Sequence, residues 1–162
     1  MNTCKLYAAD DKQRQGAMSN ILYETDFYAW TQRQAALLRG EAFEQIDWNN
    51  LIEEIESLGR SEKHEVESRL EVLIMHLLKW QYQPYKRLTG RSWRATIAEQ
   101  RRRLRRRLRE MPSLRAQLPD LLQDIYPDAV DAAAIETSLE KRTFPPHCPW
   151  TVEQLLDEEF WP

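Results

Sequence analysis

Beyond residue 20, apolar positions recur at helical rather than strand spacing. Phe27, Trp30, Leu37 and Leu38 mark one face of a first helix, with Thr25 as its expected N-cap, Asp26 in the first turn and Gly40 as its stop. Asp47 is placed to cap a second helix. There Trp48, Leu51, Ile52, Ile55 and Leu58 share a stripe at steps of three and four, and Glu53, Glu54 and Glu56 fall off it. Gly59 is expected to end or kink that helix and Ser61 to start the next. The third seam runs Val66, Leu70, Leu73, Leu77, widened by Val72, Ile74, Met75 and Leu78 into a face broad enough for more than one neighbour. Leu70, Leu73 and Leu77 are therefore expected at the centre of the core.

Pro84 and Gly90 bracket a loop, after which Ser92 is the expected cap of a fourth segment with a narrow stripe of Trp93, Ile97, Leu104, Leu108 and Met111. Pro112 closes it. Ser113 to Asp124 and Asp128 to Leu139 read as two shorter helices, the first kinked at Pro119 and the second opened by Pro127. The run Phe144-Pro145-Pro146-His147-Cys148-Pro149-Trp150 is expected to be extended, because a residue before proline is pushed out of the helical region. Thr151 and Gln154 then form a capping box for a short last helix. The expected fold is all-α: an up-and-down helical bundle with a proline-rich C-terminal arm and a short terminal helix. Residues 1–20 are polar and aperiodic and read as an N-terminal extension. Residues 21–162 read as a single helical domain.

Composition agrees. The 162 residues include only four glycines, and helix formers outnumber Val and Ile. Net charge is -3, so no global field selects nucleic acid or membrane, but the charge is unevenly placed. Glu41 to Glu71 carries ten acidic and three basic residues; Arg91 to Glu110 carries nine arginines against Glu99 and Glu110. The acidic second and third helices and the basic fourth are expected to be antiparallel neighbours. Cys4 and Cys148 lack the number for a disulfide framework and the spacing for a metal site. No stretch approaches membrane-spanning length, and a cytoplasmic chain with reduced thiols is expected.

Candidate chemistry is thin. His64 and His76 share a helix with Glu65, Glu67 and Glu71, but Ser61 and Leu73 stand where a Glu-x-x-His step needs glutamate, and His-Glu-x-x-His is absent. No metal or cofactor is expected. His76 lies one turn before Trp80 at the edge of the apolar stripe. A general base or pH switch near ~6.5 is weighed there against a partly buried histidine bonded to a loop carbonyl or an acidic neighbour, and the second reading is preferred. Cys148 beside Pro149 and Trp150 reads as a small apolar plug. The tryptophans near helix ends, Trp30, Trp48, Trp80 and Trp93, read as core packing before they read as the lining of a ligand pocket.

The loudest feature is Arg101, Arg102, Arg103, Arg105, Arg106, Arg107 and Arg109, which wrap every side of a helix except the line of Ile97, Leu104 and Leu108, and Arg101 falls even on that line. Three readings compete: phosphate contacts, internal pairing with the acidic helices, and docking of an acidic protein. No aromatic residues for base stacking and no asparagines for base reading are interleaved, which disfavours nucleic acid.

Taken together, Tyr23-Glu24-Thr25-Asp26-Phe27-Tyr28-Ala29-Trp30, Leu51 through Ser61, His76 through Pro84, Ser92-Trp93-Arg94 and Cys148-Pro149-Trp150-Thr151 resemble the bacterial family known as domain of unknown function twenty-nine, from about residue 22 to the end. The resemblance implies a compact helical bundle and no activity. The leading expectation is a non-enzymatic interaction or regulatory module, whose partner is an acidic protein or a second copy of the chain. Nonspecific nucleic-acid binding through helix 91–110, and an enzyme using His76, are the alternatives.

Overall fold

A computed structural model describes residues 21–87 and 91–162; the expected extension over residues 1–20 and Gly90 lie outside them. The described residues are helical with no strand, an all-α helical bundle. A turn α1 (21–25) leads to α2 (Phe27–Arg39), α3 (Trp48–Tyr82), α4 (Arg91–Glu110), α5 (Pro112–Thr137) and α6 (Val152–Leu156). The chain divides after Arg60 into two compact units, and α3 contributes its first turns to one and the remainder to the other.

In the first unit α2 is capped by Asp26, whose side chain accepts from Ala29 N at 2.9 Å. Thr25, the expected cap, instead gives its hydroxyl to Ile21 O inside α1. Gly40 ends α2 as expected, although the left-handed residue is Glu41 at φ 54. Asp47 holds the start of α3 by accepting from Asn50 N, and its carboxylate also takes the Trp30 indole N–H at 3.3 Å. Gln34 is buried and accepts from Asp47 N. Tyr23 donates to the Glu54 carboxylate at 2.5 Å, which pushes the phenol up to about 12. Of the large apolar side chains here only Trp30 and Ile46 are buried, among the described residues.

Two expected helix breaks are absent. α3 runs unbroken for 35 residues through Gly59 and Ser61. Glycine costs a helix only ~1 kcal/mol, less than the hydrogen bonds and burial on either side recover. α5 likewise joins the two expected segments into one helix of 26 residues with Pro119 and Pro127 inside it. Each proline removes a ladder bond, but ten residues of α5 are buried, and that packing overrides the local preference. The break before α5 is where it was expected: Met111 is non-helical and Pro112 takes the first position. α4 is already helical at Arg91, so Ser92 lies in its first turn rather than capping it.

The second unit holds the main core. Val66, Leu70, Leu73, Leu77 and Leu78 of α3 meet Ile97, Leu104 and Leu108 of α4 and Leu118, Leu121, Ile125 and Ala129 of α5. Leu70, Leu73 and Leu77 are at most 3% exposed, at the expected centre. α4 runs antiparallel to α3: Arg107 reaches Glu65, Arg69 reaches Gln100, and the Lys79 ammonium lies over the Trp93 ring. α5 then returns, so that its end meets the end of α3, where buried Gln83 donates to Thr137 O at 3.1 Å. Ser138 closes α5 in the left-handed conformation, φ 58. The proline arm follows, and Tyr126 of α5 donates to Pro145 O within it. Phe144, Trp150 and Leu155 bury the arm and α6 on the bundle, and the Thr151–Gln154 capping box starts α6 as expected.

Candidate interaction surface on the arginine helix

The seven arginines of the run from Arg101 to Arg109 in α4 have unlike fates, set by the angle at which each leaves the helix. Arg101 is 1% exposed and belongs to no surface. Its guanidinium donates to Leu155 O at 2.9 Å, Phe160 O at 2.7 Å and Glu158 O at 3.4 Å, and it lies over the Trp161 ring. A planar five-donor head suits such a task, because it answers three carbonyls that a lysine could not reach together. Burial lowers the Arg101 pKa from its ordinary value. The same tail is gripped from a second side: Arg87 donates to Trp80 O and Pro162 O, and Trp80 packs on Trp161 with ring centres 4.9 Å apart.

Arg107 pairs inward with the acidic segment of α3. It donates to Glu65 at 2.5 Å and lies 3.5 Å from Glu62, while Arg69 takes the other Glu65 oxygen at 2.7 Å. Hydrogen bonds from Arg69 and Arg107 hold the Glu65 carboxyl below its ordinary value. Arg105 pairs with Glu158. Arg102 and Arg103 both bond Glu99 one turn back, exposed pairs of the kind that contribute little to stability.

Two members of the run are left over. Arg106 and Arg109 are exposed and have no carboxylate within ion-pair distance among the described residues. Arg109 is not isolated. With Arg102, Arg105 and Arg115 it rims a cleft of about 440 Å³ floored by Leu108 and Leu156. Arg115, from the first turns of α5, is the member that pattern reading misses. Only the return of the chain at Met111–Pro112 brings it beside Arg109, and nothing in the spacing announces that return. Arg115 also adds to the field holding the Glu153 carboxyl low, behind the Glu153 backbone N–H and the Thr151 hydroxyl.

His76 and Trp80, one turn apart on α3, each have partners of their own. His76 Nδ1 is 2.9 Å from Val72 O, and since a carbonyl only accepts, Nδ1 carries the proton. Burial lowers the His76 pKa, opposed by the bond to Val72. No nucleophile or carboxylate is bonded to the ring among the described residues. Trp80 is occupied with Trp161 and Arg87. Elsewhere, Cys148 is half-buried with its thiol on Trp150 O at 3.5 Å, and burial pushes its pKa up, away from thiolate chemistry. Its neighbour His147 is exposed. Both lie at an 810 Å³ hollow between α5 and the arm, with Pro119, Tyr126 and Pro127 on the opposite wall. Among the described residues no three His, Cys, Asp or Glu side chains converge to hold a metal ion, and no helix is long and apolar enough to cross a membrane.

Fold and site together define an all-α bundle whose polar investment goes into clamping its own C-terminal tail, with a basic cleft beside the clamp. The chain belongs to the family described as Domain of unknown function DUF29, whose model matches residues 22–161. No curated protein and no solved structure matches it.

Proposed function

We propose that this chain is a non-enzymatic interaction module that docks an acidic segment of a protein partner in the cleft of Arg102, Arg105, Arg109 and Arg115. One observation carries the reading: four guanidinium groups from two helices rim one concavity, and Arg109 among them has no carboxylate partner among the described residues. Arginine forks match carboxylates bidentately, and Leu108 and Leu156 supply an apolar floor that a free anion would not need but a side chain would use. The cleft is too small for a duplex groove contact and has no aromatic wall for stacking bases, which favours peptide over nucleic acid. His76, hydrogen-bonded to its own helix and lacking a partner for proton transfer, supports a structural role rather than a catalytic one. A cytoplasmic setting suits the free thiol of Cys148.

The test is fluorescence anisotropy with a labelled oligoglutamate peptide carrying one leucine, compared with a random duplex of similar charge. Peptide binding should weaken at least tenfold in Arg109→Gln/Arg115→Gln, since the loss of even one charge-assisted pair is worth ~1.5–3 kcal/mol. No peptide binding, or duplex binding that equals it, would contradict the reading.

A further inference from the structure

The first unit carries an apolar face that none of its described residues covers. On α3, Trp48, Ile52, Ile55 and Leu58 are 48%, 51%, 61% and 68% exposed, and with Leu51 they form one stripe at steps of three and four. On the antiparallel side of the hairpin, Phe27 and Leu38 of α2 and Phe43 of the connecting turn are 49%, 39% and 51% exposed. Exposed leucines and isoleucines scattered singly would mean little, but these are contiguous in sequence register and confined to one unit. Past Leu58 the line is interrupted by Glu62, 3.5 Å from Arg107, before Val66 resumes it in the core of the second unit.

We infer that this face is a self-association surface, on which the α2–α3 hairpin of one copy packs against the same hairpin of a second copy in a two-fold four-helix arrangement. Three observations point to a second copy as the occupant. Residues at alternating steps of three and four are the seam that helices use to pack on helices, knob into hole. The seven exposed side chains, at ~100 Å² each, offer on the order of 700 Å², close to the ~800 Å² per partner of a standard stable interface. The flanking acids make their contacts within the chain, Glu53 and Glu56 with Arg60 and Glu54 with Tyr23, and all three lie off the apolar stripe, so the seam itself holds no carboxylate. Burying a largely apolar face also completes a unit whose only buried large apolar side chains, among the described residues, are Trp30 and Ile46. The surface is separate from the arginine cleft, so neither inference depends on the other.

Sedimentation equilibrium of the full chain across micromolar concentrations, at low and high salt, tests it. The expected result is a dimer whose dissociation constant does not weaken with salt, because the contact is apolar. Ile55→Glu/Leu58→Glu should shift dissociation at least a hundredfold toward monomer, while far-ultraviolet circular dichroism stays unchanged, since both side chains are exposed in the single chain. Should circular dichroism change, Ile52→Ser/Ile55→Ser gives a milder second variant, expected to weaken the dimer at least tenfold. A wild-type monomer at every concentration overturns the proposal, as does a dimer indifferent to both variants. A monomer that instead binds vesicles or a foreign helix through this face would show another occupant and also overturn it.

Discussion

Arg101 is the residue on which the C-terminal tail depends. Replacing it by methionine keeps much of the stem but strips three carbonyls of their donor, each worth ~1–3 kcal/mol when left buried and unanswered. Such penalties are not additive, so Arg101→Met should destabilise by ~2–4 kcal/mol, and Arg101→Lys should not restore it. Denaturant unfolding measures both. His76 gives a pH signature. Its folded pKa is depressed, so the unfolded chain binds the proton more readily as pH falls through ~6.5. The stability that neutral His76 retains above that value is lost as pH drops toward the folded pKa. His76→Gln should therefore flatten the fall in melting temperature as pH drops below ~6.5. An unchanged slope would remove His76 from the account. At this scale the sequence is half legible: a histidine held by a carbonyl follows from the missing partners of His76, although the carbonyl is Val72 O of its own helix rather than a loop's, whereas Arg101 falls on the apolar line yet reads with the other six as surface. A line of Ile97, Leu104 and Leu108 with Arg101 on it is the signal that was available, because a cation on an apolar line must find acceptors or leave it.

Helices were read more securely than their ends. Periodicity placed the seam of Leu70, Leu73 and Leu77 correctly because burial imposes it directly on residue choice. Glycine and proline mislead at Gly59 and Pro127, where the helices run on, because their costs are local while the compensation is tertiary, and a single sequence displays only the first. Gly59 then makes a clean test. A Cβ there meets nothing within 4 Å, and the residue sits inside a continuous helix, so Gly59→Ala should stabilise by ~0.5–1 kcal/mol. A destabilised variant would mean that α3 does break at that position. The stripe Trp48 to Leu58 was read as helical, and it is, but periodicity cannot say whether a stripe faces its own chain. It is exposed in the single chain. In the core, Leu73→Ala should cost ~2–5 kcal/mol, read as a lowered unfolding midpoint.

At the scale of the whole molecule, the two charge blocks noted in the sequence prove to be only partly complementary. Arg107 crosses to Glu62 and Glu65 as the near-equal balances suggested, yet the other arginines turn to the tail, to Glu99 or to solvent. A run of like residues on a helix is distributed by angle among unlike environments, so the run has no single role. The account therefore rests on a division of labour: Arg101 and Arg107 hold the fold, and Arg109 with Arg115 is free to hold something else. Side-chain Nε–Hε resonances of the individual arginines, followed by nuclear magnetic resonance while an oligoglutamate peptide is added, test that division directly. The account predicts shifts at Arg109 and Arg115, smaller ones at Arg102 and Arg105, and none at Arg101 or Arg107. Shifts spread evenly over the helix, or the same shifts produced by a random duplex, would contradict it.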